Sequence, residues 1–274
     1  MKIKIRLILY FVLLAVAVYL MFLLFNLNKK PGVVLPRDFP EIIASGTLNV
    51  ATDYNTIGYH VSGDTTAGFQ YELIKSIEKA WGIEVKIFLE NNLDDNLNGL
   101  KTGKYDVVAR NIPINSELLS EFDFTRFISR NKQVLVQRKH EYNDSIEPIR
   151  QHLELAKKRI HVPHDSPAIL RIRNLAHEIG DTIFIVENAT YESEQLVMMV
   201  AGGDIDFAVC DEKTAMKLAQ EFPEIDIQTD ISFTQLESWA VRKDSPILLD
   251  SLNSWFGSFL ESKEFGKLYK RYYD

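Results

Sequence analysis

The chain of 274 residues has a single cysteine, Cys210, which excludes an intrachain disulfide, a Cys-x-x-Cys redox pair and a cysteine-rich zinc site. It has no basic tract: 31 Lys and Arg stand against 38 Asp and Glu, a formal net charge of -7, which argues against nucleic acid as a partner. Gly-x-Ser-x-Gly, the P-loop and Gly-x-Gly-x-x-Gly are absent, and with them the common hydrolase and nucleotide-binding signatures. His161 and His164 are three apart, but no second pair of ligands follows, so neither a metal nor a cofactor is implied. At 46% hydrophobic residues the chain has enough apolar surface to fold, which excludes a disordered or collagen-like protein.

What is present begins with an apolar run from Leu7 to Phe25 that holds no charge, proline or glycine. As a helix it would be about 28 Å long, against roughly 30 Å for the hydrocarbon core of a bilayer. It is longer than the core of a cleavable signal and ends in Leu23-Leu24-Phe25-Asn26, without a small-residue cleavage site, so residues 1–30 read as a short cytoplasmic tip and a single transmembrane anchor. Lys2, Lys4 and Arg6 precede the run and Lys29 and Lys30 follow it, which favours a cytoplasmic N-terminus. Residues 31–40, with prolines at 31, 36 and 40 and a glycine at 32, read as a spacer, and the fold is expected from Glu41.

From there the apolar period alternates between strand and helix. Leu48 to Ala51 reads as a strand, and Tyr71, Ile74, Ile77 and Trp81 as one face of a helix that Gly82 closes. Val85, Ile87 and Leu89 give a second strand, Leu93, Leu97 and Leu100 a second helix, and Tyr105 to Ala109 a third strand. The same order returns in residues 159–210, and a Gly-x-x-Asp leads into the third strand of each set, at Gly103 to Asp106 and at Gly203 to Asp206. Strands alternating with single helices predict two α/β lobes with mainly parallel sheets and a cleft between them.

These residues resemble bacterial family 3 extracellular solute-binding proteins. Gly68 to Ile74, Leu100 to Ala109 and Phe122 to Thr125 look like the first lobe of that family, and Gly202 to Asp211 and Glu237 to Pro246 like the second lobe and the return crossing. The anchor and Asn115-Ser116-Glu117 look most like the N-terminal binding module of the membrane-bound lytic transglycosylase F branch, whose lysozyme-like catalytic domain is not expected in a chain ending at Asp274. The resemblance implies a two-lobed periplasmic-binding-protein type II fold, with residues 41–134 plus 238–274 as lobe 1, residues 135–237 as lobe 2, and crossings near Gln133–Gln137 and Ser238–Val241. It also implies a protein of the bacterial inner membrane with its binding domain in the periplasm.

In the family an acidic residue after the second Gly-x-x-Asp strand holds a ligand ammonium group, and Asp211 occupies that place. Read from the residues alone, Asp211 either points into the cleft from a strand end or caps the helix that follows. The family's Thr-x-x-Arg, which grips an α-carboxylate, aligns with Asn115-Ser116-Glu117-Leu118, and leucine cannot do that. Either the ligand lacks a free α-carboxylate, or Arg110, at the head of Arg110-Asn111-Ile112-Pro113, supplies the charge; a surface ion pair is the plain alternative for Arg110. Ser166, in His164-Asp165-Ser166, stands where a helix N-terminus accepts an anion, or is an ordinary N-cap. Tyr54 and Tyr59, in a polar loop, are set either to cover a ligand or to pack on a lobe. The candidate ligand-binding residues are thus Asp211, Arg110, Asn111, Pro113, Asn115, Ser166, Tyr54 and Tyr59.

The function expected is that of a non-enzymatic, membrane-tethered binding protein that closes on an amino acid, short peptide or peptidoglycan fragment, with an ABC transporter permease or a cell-wall enzyme as protein partner. The alternatives are a ligand-free envelope scaffold and a periplasmic dehydratase-like enzyme, for which Glu72, Glu117 or Asp211 would donate a proton.

Overall fold

The computed structural model describes residues 13, 14, 16–21, 37–164 and 166–273. The expected anchor, the first part of the spacer and Asp165 lie wholly or largely outside the described residues. Residues 13, 14 and 16–21 are helical, and among the described residues no helix is long and apolar enough to cross a membrane.

Asp38 opens the folded part. Its carboxylate accepts from the Phe39 N–H at 2.8 Å and forms a capping box with Glu41, starting α1 (Phe39–Ser45). Pro40, expected in the spacer, sits in the first turn of this helix, where a missing N–H costs nothing. The same carboxylate also accepts from Ile247 and Leu248 N–H, at 3.1 and 2.6 Å.

Then follow β1 (Thr47–Thr52), a hairpin of β2 (His60–Ser62) and β3 (Thr65–Ala67), α2 (Phe69–Trp81), β4 (Glu84–Leu89), α3 (Leu93–Lys101), β5 (Val107–Pro113), α4 (Ser116–Glu121), β6 (Phe122–Phe124) and β7 (Ser129–Asn131). The second set is β8 (Gln133–Arg138), β9 (Arg159–Pro163), α5 (Ala168–Ile179), β10 (Phe184–Asn188), α6 (Ser193–Gly202), β11 (Ala208–Asp211), α7 (Glu212–Glu221) and β12 (Ile225–Asp230). The chain returns through β13 (Gln235–Arg242) to α8 (Pro246–Phe259) and α9 (Lys263–Tyr273).

One sheet has the order β4-β1-β5-β13-β6, with β7 also on β13; the other has the order β10-β9-β11-β8-β12. The three α/β strands of each set run parallel, as expected. The strands that enter from the other side, β13 and β8, run antiparallel to β5 and β11, so both sheets are mixed. Strand pairing puts Gln133 and Val134 on the second sheet and Gln235 to Glu237 on the first. The chain therefore changes sheets at Lys132 and again within 232–234, a few residues from the expected crossings.

Each sheet is covered on both faces, which is why its strands are apolar without strict alternation. In the first lobe Trp239, Leu73, Ile77, Leu252 and Phe256 fill one side and Leu97, Leu100, Tyr105 and Phe122 the other. In the second, Ile160, Ile172 and Leu175 oppose Val136, Leu196, Val200 and Leu218. Gly68, ahead of α2, is held at φ 135°, and a Cβ there would meet the Gly58 carbonyl oxygen at 2.3 Å, so the close approach admits only glycine.

The two Gly-x-x-Asp segments share more than their spelling. Gly103 and Gly203 both have positive φ, 78° and 83°. Arg242, ending β13, donates to the carbonyls of Leu100 and Tyr105 and lies 3.5 Å from Asp106; Arg138, ending β8, donates to the carbonyls of Val200 and Ile205 and lies 3.2 Å from Asp206. One arginine from the antiparallel strand thus fastens the helix-to-strand turn in each half, and the contacted residues, 100, 105 and 106 in one half and 200, 205 and 206 in the other, are offset by 100. The halves repeat at the level of side-chain contacts.

Candidate functional site

The ends of β5, β8 and β11 meet between the lobes. Antiparallel pairing sets Gln133 directly opposite Asp211, and Gln133 Nε2 donates to Asp211 Oδ1. Asp211 is also the N-cap residue of α7, but no capping bond is made by its side chain. Its carboxyl faces a cavity of about 200 Å³, walled by Arg110, Asn111 and Pro113 from the first lobe and by Gln133, Ser166, Glu192 and Asp211 from the second. A smaller space of about 70 Å³ shares Arg110, Asn111 and Asp211 and adds Asp53, Lys213 and Tyr273.

A buried chain of hydrogen bonds fixes the first-lobe wall. Trp239 Nε1 donates to Gln70 Oε1 at 2.7 Å, Gln70 Nε2 to Asn111 Oδ1 at 2.6 Å, and Asn111 Nδ2 to Tyr273 Oη at 3.1 Å. Both ends of the Asn111 amide are thereby engaged, and the wall is rigid down to the core. Arg110 Nη1 donates to the Asn91 carbonyl at 2.8 Å, and Nη2 is 3.3 Å from Asp53. Lys213 Nζ donates to Tyr269 Oη at 2.6 Å and lies 3.8 Å from the centre of the Tyr273 ring.

Electrostatics follow from this burial. The Asp211 carboxyl is pushed up to about 6, chiefly by burial and further by the nearby Asp53, against the opposing pull of Gln133 and Arg110. Glu192 is raised in the same sense, again mainly by burial. Beneath the cleft Glu237, 2% exposed, is pushed up to about 8 by burial and by the Asp211 charge, while Ser129 Oγ donates to it at 2.6 Å.

Of the expected residues, Asp211, Arg110, Asn111, Pro113 and Ser166 come together on one cavity. Arg110 lies within β5 rather than after it, and Ser166 Oγ also accepts from the Ala168 N–H at 3.3 Å, so it both caps α5 and faces the cleft. Asn115 does not reach the cavity; its Oδ1 caps α4 by accepting from Leu118 N–H at 2.8 Å. Tyr54 is 49% exposed and its ring is tilted against that of Tyr59 at 6.4 Å, Tyr59 meets Tyr71 of α2 edge-on, and neither tyrosine lines the cavity. Glu72 pairs with Arg271 and Tyr272, and Glu117 is exposed, so neither stands where a cleft acid would act. Leu118 is half-buried against the first-lobe core.

Two further contacts cross the cleft at the Thr56 peptide. Its N–H donates to Glu194 Oε1 at 2.7 Å and its carbonyl accepts from Lys217 Nζ at 2.5 Å. A loop of the first lobe is thus gripped by α6 and α7 of the second.

The family model of bacterial extracellular solute-binding proteins, family 3, matches residues 47–274, from β1 through the cleft to the last helix. The chain belongs to that family. Membrane-bound lytic murein transglycosylase F of Desulfosudis oleivorans is 26% identical over 233 residues, 85% of this chain and 50% of that protein. The Pseudomonas fluorescens protein of the same name is 24% identical over 242 residues, 87% and 48%. The chain spans about half the length of the curated relatives it matches. Among solved structures, an ancestral amino acid-binding protein described as a precursor of cyclohexadienyl dehydratase superposes with a TM-score of 0.75 at 21% identity, covering 86% of this chain and 99% of that one. An ancestral arginine-binding protein bound to arginine gives 0.73 at 22% identity, covering 84% and 99%. These likenesses establish the two-lobed fold, and the family match makes residues 47–274 a solute-binding domain.

Proposed function

We propose that this family 3 protein is a membrane-tethered periplasmic binding protein whose lobes close on a small amine-bearing ligand, within the range of amino acids, short peptides and peptidoglycan fragments, for transport or cell-wall sensing. The observation that carries this reading is the convergence of Asp211 and Gln133 from one lobe with Arg110 and Asn111 from the other on a single cavity. A ligand that bridges those walls stabilises the closed arrangement at the expense of the open one. Lys132 and residues 232–234 are the points about which the lobes turn. The names of the relatives, membrane-bound transglycosylases, and the apolar run at residues 7–25 support the tether.

Thermal unfolding of the full chain in detergent, screened against amino acids, dipeptides and muropeptides, tests the reading. A ligand at a hundred times its dissociation constant adds about 2.7 kcal/mol, or roughly 5–10 °C in midpoint. The shift is expected with the wild type and absent in Asp211→Ala; no shift with any compound, or a shift indifferent to that substitution, overturns cleft binding. Deleting residues 1–30 is expected to move the protein from the membrane fraction to the soluble one, and retention in the membrane would remove the single-anchor part of the proposal.

A further inference from the structure

The cavity contains more charge than a neutral or zwitterionic ligand needs, and the charges are unequally occupied. Each cation that faces it or the smaller space beside it is already engaged: Arg110 by Asp53 at 3.3 Å and the Asn91 carbonyl at 2.8 Å, His164 by Glu187 at 3.1 Å, and, in the smaller space, Lys213 by the Tyr269 hydroxyl and the Tyr273 ring. Withdrawing Arg110 to serve a ligand would leave Asp53 without its cation. Of the helix starts that border the cavity, the first turn of α5 receives Ser166 Oγ and α6 is closed by the Glu192 capping box, while α7 begins at Asp211 itself, whose negative charge faces any ligand anion there. Asp211 and Glu192, by contrast, line the cavity and have no ion-pair partner among the described residues.

From this asymmetry we infer that the cleft takes an organic dication without a free carboxylate, an aliphatic diamine or an amine-bearing ligand of that charge pattern, with one ammonium group on Asp211 and the other on Glu192. The inference rests on the solute-binding reading of the same cleft and narrows its ligand class. The Asp211 carboxylate is held in the cleft without a counter-ion, which is costly, and a ligand ammonium supplies the missing charge there; Glu192 stands at the exposed rim of the cavity, where the second ammonium pairs with it. Burial, which raises the Asp211 carboxyl above its ordinary value, marks the place where such a cation is most strongly held. A ligand carboxylate would enter a site whose side-chain cations are all engaged, beside two like charges. Glu192 is then a specificity-determining residue, its side chain placed at the mouth of α6 by its own capping box.

The test uses two probes that differ by one carboxylate, 1,5-diaminopentane and L-lysine, titrated calorimetrically into the full chain in detergent. The diamine is expected to bind at least tenfold more tightly than lysine, and Glu192→Gln to weaken the diamine at least tenfold without moving the thermal midpoint of the unliganded protein. The amide keeps the capping acceptor, so loss of binding would not be a loss of fold. Lysine binding as tightly as the diamine, or diamine binding indifferent to Glu192→Gln, overturns the inference. If lysine binds better and needs Asp211, the solute-binding reading stands while the dication class falls. If neither binds, the dication class falls, and the wider ligand screen decides the other reading.

Discussion

Arg242→Ala is expected to be among the most destabilising single substitutions in the chain, costing about 3–5 kcal/mol, because it leaves a buried carboxylate without its main cation. Arg242 is 6% exposed and Asp106 0%. The guanidinium donates to the carbonyls of Tyr105, Leu100 and Arg37, the last at 2.8 Å, and faces Asp106 at 3.5 Å. Without it Asp106 keeps the Asn49 N–H at 2.9 Å and Arg37 at 3.7 Å, and three carbonyls lose a charged donor. The equivalent Arg138→Ala is expected to cost only about 1–2 kcal/mol, since the Asp206 side chain is 74% exposed and water replaces the ion pair. Thermal midpoints therefore separate the two arms of the repeat: a fall of roughly 10–15 °C for Arg242→Ala and a few degrees for Arg138→Ala. Equal losses would mean that the burial of Asp106 does not govern the difference.

That comparison also shows what a sequence can carry. The two Gly-x-x-Asp segments are visible as a repeat, but only the fold reveals that an arginine from a distant antiparallel strand completes each of them. The same limit applies in the cleft. Asp211 is legible because a carboxylate ending a parallel strand points outward from the sheet edge. Gln133, its hydrogen-bond partner, is not, because the pairing of β8 against β11 is antiparallel and joins residues 78 apart in the chain. Asn115 is expected at the ligand from its alignment with Thr-x-x-Arg, and local backbone geometry makes it the cap of α4 instead. Tyr54 and Tyr59 lie in a polar loop, yet the shortest route to burial for Tyr59 is the neighbouring Tyr71. The hairpin β2–β3 escapes notice because its strands are three residues each, too short for a period to register. Glu237 is the least legible of all. In Leu236-Glu237-Ser238-Trp239 it has the look of an outward-facing strand residue, and only the pairing of β13 with β7 encloses it, opposite Ser129.

Glu237 gives the second large effect, and its sign is opposite to that of most acidic groups in proteins. Its ordinary value is 4.5, and in the fold burial and the Asp211 charge push it up to about 8. Between those values the folded state binds a proton that the unfolded state has lost, so stability falls as pH rises through the window. The loss amounts to about 4 kcal/mol between pH 5 and 8.5, with roughly 1 kcal/mol of it above pH 7. Asp211, pushed from 3.8 up to about 6, contributes in the same direction at the acid end. His60 and His161, both lowered by burial, act the other way: their neutral folded forms favour stability as pH rises toward 6.5, which makes the region above pH 7 the cleaner one to read. Urea unfolding of the full chain in detergent is expected to show a lower free energy at pH 8.5 than at pH 7. Glu237→Gln, which keeps an oxygen for Ser129 and cannot ionise, is expected to be more stable than the wild type at pH 8.5 and to lose most of that slope. A wild type equally stable at both pH values, or a Glu237→Gln variant with the wild-type slope, would show that the carboxyl beneath the cleft is already ionised. Because Glu237 lies in β13 just after the chain has re-entered the first sheet, and its charge is felt by Asp211, a proton lost there adds negative charge between the crossing and the cleft. Ligand affinity measured over the same pH range should then weaken in step with stability in the wild type and stay level in Glu237→Gln.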